Sequence, residues 1–414
     1  MSRWIPRITN PGAGGGAAAG PDRFAPTILV GNTAEGDSAV AYNTDNFVYI
    51  PDVGDGLGIE AAIAYVTGTL AGYGSILIRP GLFDFNQPTS PAAPFYLPTG
   101  CVLRGSGSEN TFLVGLSGST APLFYIEQGT QIGHLSIGQQ CGGGGAGSGL
   151  GVITIQEDGG TAEPVLLHDL RLEITFEATS NCVAAISIET AVSSPPIRIQ
   201  NITSTSQGAR GGVTPSLWTR FLHVAPVANS PVWVESCRAN DYDVTLWVNT
   251  VEDLTVTGLI GQFETRFLYQ NDFGRVVLFA CRGFALAQGA LALDLQSEKT
   301  TNVQVTNSEF TSGINSMTNE ALRVRSIANG GHATITGCTF RWDRAGAAIV
   351  LGTGATGCDR NTITACRVVN PNVAGVGVEI VNVASVDNMV LGNSLEAVTQ
   401  VTDGGTTSQI ANNV

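Results

Sequence analysis

The stretch Ile132-Gly-His-Leu135-Ser-Ile137 returns as Leu167-His-Asp-Leu170-Arg-Leu172, and that return decides the fold. The shared pattern is an apolar residue, two residues, a core-type residue, one residue, and a further apolar residue. Working outward, its first half recurs at Ile199-Gln-Asn-Ile202, Val234-Glu-Ser-Cys237, Val256-Thr-Gly-Leu259 and Leu278-Phe-Ala-Cys281. It continues at Val305-Thr-Asn-Ser308, Ile335-Thr-Gly-Cys338, Ile363-Thr-Ala-Cys366 and Val390-Leu-Gly-Asn393. The fourth residue of each unit serves as a marker, and the markers fall 22 residues (Cys237 to Leu259) to 35 residues (Leu135 to Leu170) apart. Units this small cannot bury a face alone, so they must stack and share one core.

Second apolar runs lie between the markers, among them Val152-Ile-Thr-Ile155, Ala185-Ile-Ser-Ile188, Leu291-Ala-Leu-Asp-Leu295 and Ala348-Ile-Val-Leu351. Each unit therefore carries two or three short strands with Gly, Asn, Ser and Thr at its corners. The expected fold is all-β: a single-stranded parallel β-helix over 101–399, preceded by a helix and first strands in 46–100. A short polar last partial rung is expected over 400–414.

Composition agrees. Of 414 residues 52 are Gly, and only 13% are charged, against about 25% in an ordinary domain. The net charge is −14, so nucleic acid and anionic membrane are not expected as partners. No stretch is long and apolar enough to cross a membrane, and no charged-then-apolar leader opens the chain. Four of the eight cysteines, Cys237, Cys281, Cys338 and Cys366, fall on the marker position. They are expected as buried free thiols in one column, consistent with assembly in a reducing cytosol. No Cys or His spacing suits a metal, and no cofactor is expected.

Residues 1–45 are read as a flexible N-terminal arm, because Asn10-Pro-Gly-Ala-Gly-Gly-Gly-Ala-Ala-Ala-Gly-Pro21 cannot build a core. Trp4, Ile5 and Ile8, between Arg3 and Arg7, are its candidate anchor to a partner. Over 58–72, Ile59, Ala62, Ile63, Val66 and Leu70 share one helical face, and Gly72 and Gly74 stop the helix. That helix is expected to cover the open N-terminal end of the solenoid.

Beyond the helix come Ile76-Leu-Ile-Arg-Pro-Gly-Leu82 and Leu97-Pro-Thr-Gly-Cys-Val-Leu-Arg-Gly-Ser-Gly107. With Tyr49-Ile-Pro-Asp-Val-Gly-Asp-Gly-Leu-Gly-Ile59 before the helix, this order resembles the start of pectate-lyase-like right-handed β-helices, particularly those of bacteriophage tailspikes and depolymerases. The resemblance runs over about 48–400. It implies a right-handed coil, a homotrimer and a virion location. It implies little about activity, because this scaffold carries lyases, hydrolases, epimerases and inert spikes. Polygalacturonase-like members use a Gly-His-Gly and an Arg-x-Lys; neither occurs here, and Lys299 is the only lysine.

Three sets of residues are candidates for function. Asp241, Asp243 and Glu264 could converge beside Tyr242 and Trp247 as the acid and base of glycoside cleavage. Residues directly after the markers include Arg171, Arg238, Arg282 and Arg367, an outward column suited to acids of a neighbouring subunit or to an anionic glycan. Trp218, Trp233, Trp247 and Trp342 could stack on sugar rings, although most are expected to be packed. His134 and His168 are placed at equivalent outward positions of adjacent rungs, as a surface stack. The leading expectation is a non-enzymatic virion protein, a β-helical spike or a head or tail decoration protein, anchored by its arm to capsid or tail and in contact with host polysaccharide. A tailspike-type polysaccharide depolymerase is the alternative.

Overall fold

The computed structural model describes residues 27–32, 39–43, 49–50, 58–84, 95–115, 122–141, 151–156, 164–176, 184–189, 196–208, 218–224, 228–249, 251–270, 274–297, 301–326, 332–352, 358–382 and 384–414. Within them the chain winds through one continuous sheet whose strands pair almost entirely in parallel, each with the equivalent strand one turn on. Every coil has three faces. Face A runs from Gly74–Ile78 and Cys101–Arg104 through Ile197–Gln200 and Thr301–Thr306 to Gln409–Ala411. Face B includes Thr203–Gly208, Arg282–Ala285 and Arg367–Val369. Face C includes Ala184–Glu189, Arg220–Val224, Leu291–Ser297, Leu322–Ser326 and Gly375–Ile380. Long strands round a corner without a break: Val165–Phe176 serves faces A and B, and Arg238–Val248 serves B and C.

The markers sit where the repeat placed them. Leu135, Leu170, Ile202, Cys237, Leu259, Cys281, Ser308, Cys338, Cys366 and Asn393 are all buried. The polar members meet their needs locally. Cys237, Cys338 and Cys366 direct their thiols at the carbonyls of Ile199, Val305 and Ile335. Asn393 does the same to Ile363 at 3.0 Å and accepts from the Cys366 amide.

The residue before each marker explains the corner between faces A and B. His134, Asp169, Asn201, Ser236, Gly258, Ala280, Asn307, Gly337, Ala365 and Gly392 all take φ between 51° and 67°. This left-handed conformation reverses the pleat in one residue, and Asn, Asp and Gly tolerate it best.

Two expectations about the N-terminal region are corrected. Thr27–Asn32 lies inside the segment read as a flexible arm, yet it pairs in parallel with Gly74–Ile78, and Ile28 and Val30 are fully buried. Its alternating apolar residues suffice for a face A strand, so an arm boundary at 45 is too late. The helix Ile59–Thr69 forms where expected, with Ile59, Ala62, Ile63 and Val66 buried, but Leu70 falls just beyond it as the C-cap. Gly74 is required by that packing, since a Cβ there would lie 2.8 Å from Val66 Cγ2. Residues 1–26, including the anchor candidates Trp4, Ile5 and Ile8, lie outside the described residues.

Candidate functional site

Of the three candidate carboxylates, Asp243 is engaged inside the fold. Asp243 is buried, and its Oδ2 accepts from the Thr219 amide at 2.8 Å and the Thr219 hydroxyl at 3.1 Å. Its backbone amide donates back to the same hydroxyl. The side chain thus fastens the segment that leads into Arg220–Val224, a task that period-2 alternation cannot reveal. Tyr242 pairs in register with Phe263. Asp241 stands one residue before that pair and Glu264 one after it, both half-buried.

The residues directly after the markers share one line of face B. The register links Arg171, Thr203, Arg238, Ile260, Arg282, Glu309, Thr339, Arg367 and Ser394 through successive rungs of face B. Each of its arginines has a partner in its own chain. Arg171 meets Glu173 at 2.7 Å, Arg238 meets Asn240 at 3.2 Å, Arg282 lies 3.9 Å from Glu309, and Arg367 meets Glu396 at 2.8 Å. These are exposed pairs in high dielectric, each of small energetic consequence.

A denser constellation, not anticipated as a unit, occupies the outer side of face C. The register stacks Ser187, His223, Trp247, Tyr269, Asp294 and Arg323 on successive rungs. Trp247 and Tyr269 lie 4.4 Å apart between ring centres, and Trp218 closes on both at 6.0 and 6.4 Å. The Arg220 guanidinium covers the Trp247 ring at 3.9 Å, and burial lowers its pKa to about 10. Asp294, fully buried, accepts from Arg266 Nε at 3.0 Å and lies 3.4 Å from Arg325 Nη2. Glu320 holds both Arg323 and, at 2.9 Å, Arg344. Each of these two carboxylates serves two guanidiniums, so among the described residues of the patch arginines outnumber the carboxylates that hold them. The signal was present in the sequence as Trp218-Thr-Arg220 and Leu322-Arg-Val-Arg325, but only the register puts them beside Asp294.

Of the other tryptophans, Trp342 is fully buried and its Nε1 donates to the Asn319 carbonyl at 2.7 Å. Trp233 lies on face A beneath Arg198, at 5.0 Å.

The histidines are not at equivalent positions. Gly133 pairs with His168, so the partner of His134 on the next rung is Asp169. His134 occupies the left-handed corner, whereas His168 ends a face A strand. Their rings still meet, edge to face at 4.7 Å, and both turn Nδ1 to Asp169 Oδ2, at 3.3 and 2.9 Å. The hydrogen bond from His168 holds the Asp169 carboxyl below its usual range.

No protein-family model matches the chain, and no curated protein matches it in sequence. Solved structures do match. The A-module of a mannuronan C-5 epimerase from Azotobacter vinelandii superposes with a TM-score of 0.50 at 12% identity, covering 87% of this chain and 94% of its own. DFA-IIIase from Arthrobacter chlorophenolicus A6, without its lid, gives 0.51 at 12% identity, with 88% and 96% covered. The chain is a right-handed parallel β-helix. A tailspike protein of bacteriophage CBA120 also matches, at 10% identity over 85% of this chain and 58% of its own, but a TM-score of 0.42 adds nothing to that assignment. At such identities the likeness establishes the coil and leaves the chemistry to the residues of this chain.

Proposed function

We propose that this protein is a β-helical virion spike or decoration protein whose face C patch binds an acidic polysaccharide on the host surface. The observation that carries the reading is Asp294. A carboxylate fully buried beside Arg266 and Arg325 acts as a strut that fixes both guanidiniums. Around it, Trp218 and Tyr269 offer apolar ring faces and Arg323 and Arg325 offer planar donors, the two features that sugar rings and their acidic substituents need. In this reading the protein is non-enzymatic, the arm with Trp4, Ile5 and Ile8 anchors it to capsid or tail, and the face B arginines contact acids of neighbouring subunits in a homotrimer.

The test is binding of the full chain to polysaccharides with and without carboxylate groups. Acidic chains should bind and weaken as salt rises, neutral ones should not, and R323A/R325A should lose at least about tenfold in affinity. Equal binding of neutral and acidic chains would refute the assignment. Glycan cleavage is the second reading, supported by the half-buried Asp241 and Glu264 flanking the Tyr242–Phe263 pair. New reducing or unsaturated ends, released by the native chain and not by D241N/E264Q, would favour it.

A further inference from the structure

We infer that His134, His168 and Asp169 form a binding site for a first-row divalent transition metal, of the zinc, cobalt or nickel class, at the corner between faces A and B. Their ligand atoms all lie within 4.8 Å of one another. Two of the edges, 3.3 Å from His134 Nδ1 and 2.9 Å from His168 Nδ1 to Asp169 Oδ2, are close to the ~3.3 Å separation of donors about a tetrahedral ion with bonds near 2.0–2.1 Å. Two imidazole nitrogens and one carboxylate oxygen suit such an ion, and calcium or magnesium would demand more oxygen. The His134 and Asp169 side chains are 45% and 38% exposed, so the ion would keep open positions on its solvent side.

Three further observations show a built arrangement. Asn201, at the same left-handed corner one rung on, donates Nδ2 to Asp169 Oδ1 at 3.2 Å. It therefore fixes the carboxylate by one oxygen and presents the other, which is how outer partners orient metal ligands. Secondly, His168 lies directly over Gly133, where a Cβ would come within 2.5 Å of Nε2. Only glycine leaves room for the ring in this pose. Thirdly, His168 Nε2 is buried without a hydrogen-bond partner. That is a cost to folding, and the next rung avoids it by using Gln200, whose amide reaches Glu235 at 2.9 Å. The imidazole is retained where a glutamine would be easier, and its Nδ1 faces the shared oxygen.

The adjacent rung also supplies the control. H168Q/D169N copies the Gln200-Asn201 pair onto the rung before it, and Asn keeps the left-handed preference at 169. The native full chain, free of metal, should bind one equivalent of Co2+ with visible absorption of a nitrogen- and oxygen-ligated ion, displaced by Zn2+. Its melting temperature should rise with Zn2+ concentration. H168Q/D169N should fold and melt no lower than the native chain without metal, and lose both responses, and N201A should weaken binding by roughly tenfold. No uptake by the native chain would overturn the proposal. So would equal uptake by H168Q/D169N, or a cobalt–thiolate charge-transfer band that places the ion on cysteine.

Discussion

At the scale of single residues, the marker position shows how one site in a coil accepts different chemistry under one rule. Leu, Ile, Cys, Ser and Asn all occupy it, and the polar members reach a backbone carbonyl: Ser308 Oγ donates to Thr306 at 3.1 Å and Asn393 Nδ2 to Ile363. Cys338→Ser should therefore cost no more than about 1–2 kcal/mol, whereas Cys338→Asp, which buries an unpaired charge, should cost roughly 3–5 kcal/mol in a denaturant titration. Equal losses would mean that the column does not discriminate charge. The thiols also tie stability to pH. Burial pushes Cys101, Cys237 and Cys358 up to about 12 and Cys281 to about 11. An unfolded chain releases these protons near ~8.5. The folded state holds them more tightly, so their contribution is complete below that value and is lost as pH rises toward the folded values. Melting temperature should fall progressively above about pH 8.5, and the native thiols should resist alkylation at neutral pH.

Elements are decided at their ends. The left-handed corner residue is cheap for Gly and Asn but strained for Ala280 and Ala365, with φ of 53° and 52°. Ala280→Asn, which copies Asn307 on the next rung, should stabilise by ~0.5–1 kcal/mol; a loss would show that the corner tolerates only a small side chain. At the other end of the molecule, Gly74→Ala should destabilise by ~1–3 kcal/mol, because its Cβ would collide with Val66 on the helix Ile59–Thr69. The marker repeat made the corners legible beforehand, and the helical spacing of Ile59, Ala62, Ile63 and Val66 did the same for the helix. Periodicity failed where a strand turns without a break. Asp243 lies past the bend of Arg238–Val248, between pairs whose register shifts, so alternation assigned it to the wrong environment.

Across the whole molecule, each rung is held only by its neighbours, and stability should grade along the axis. Among the described strands, Thr399–Asp403 and Gln409–Ala411 are the most exposed. Amide exchange should be fastest there and slowest among rungs such as Val251–Thr257, whose neighbours on both sides are complete. Uniform protection would indicate that something covers these strands, as an assembled trimer would, and light scattering on the full chain distinguishes the two. The sequence by itself determined the coil, its rung boundaries, the inward column and the arginine line on face B, because all four follow from one-dimensional periodicity and the two-sidedness of a strand. Only the tertiary structure decided which polar residues meet. His134 and Asp169, or Tyr269 and Asp294, are brought together by a register that depends on the length of every intervening corner. Those lengths change from rung to rung, and no local pattern encodes them.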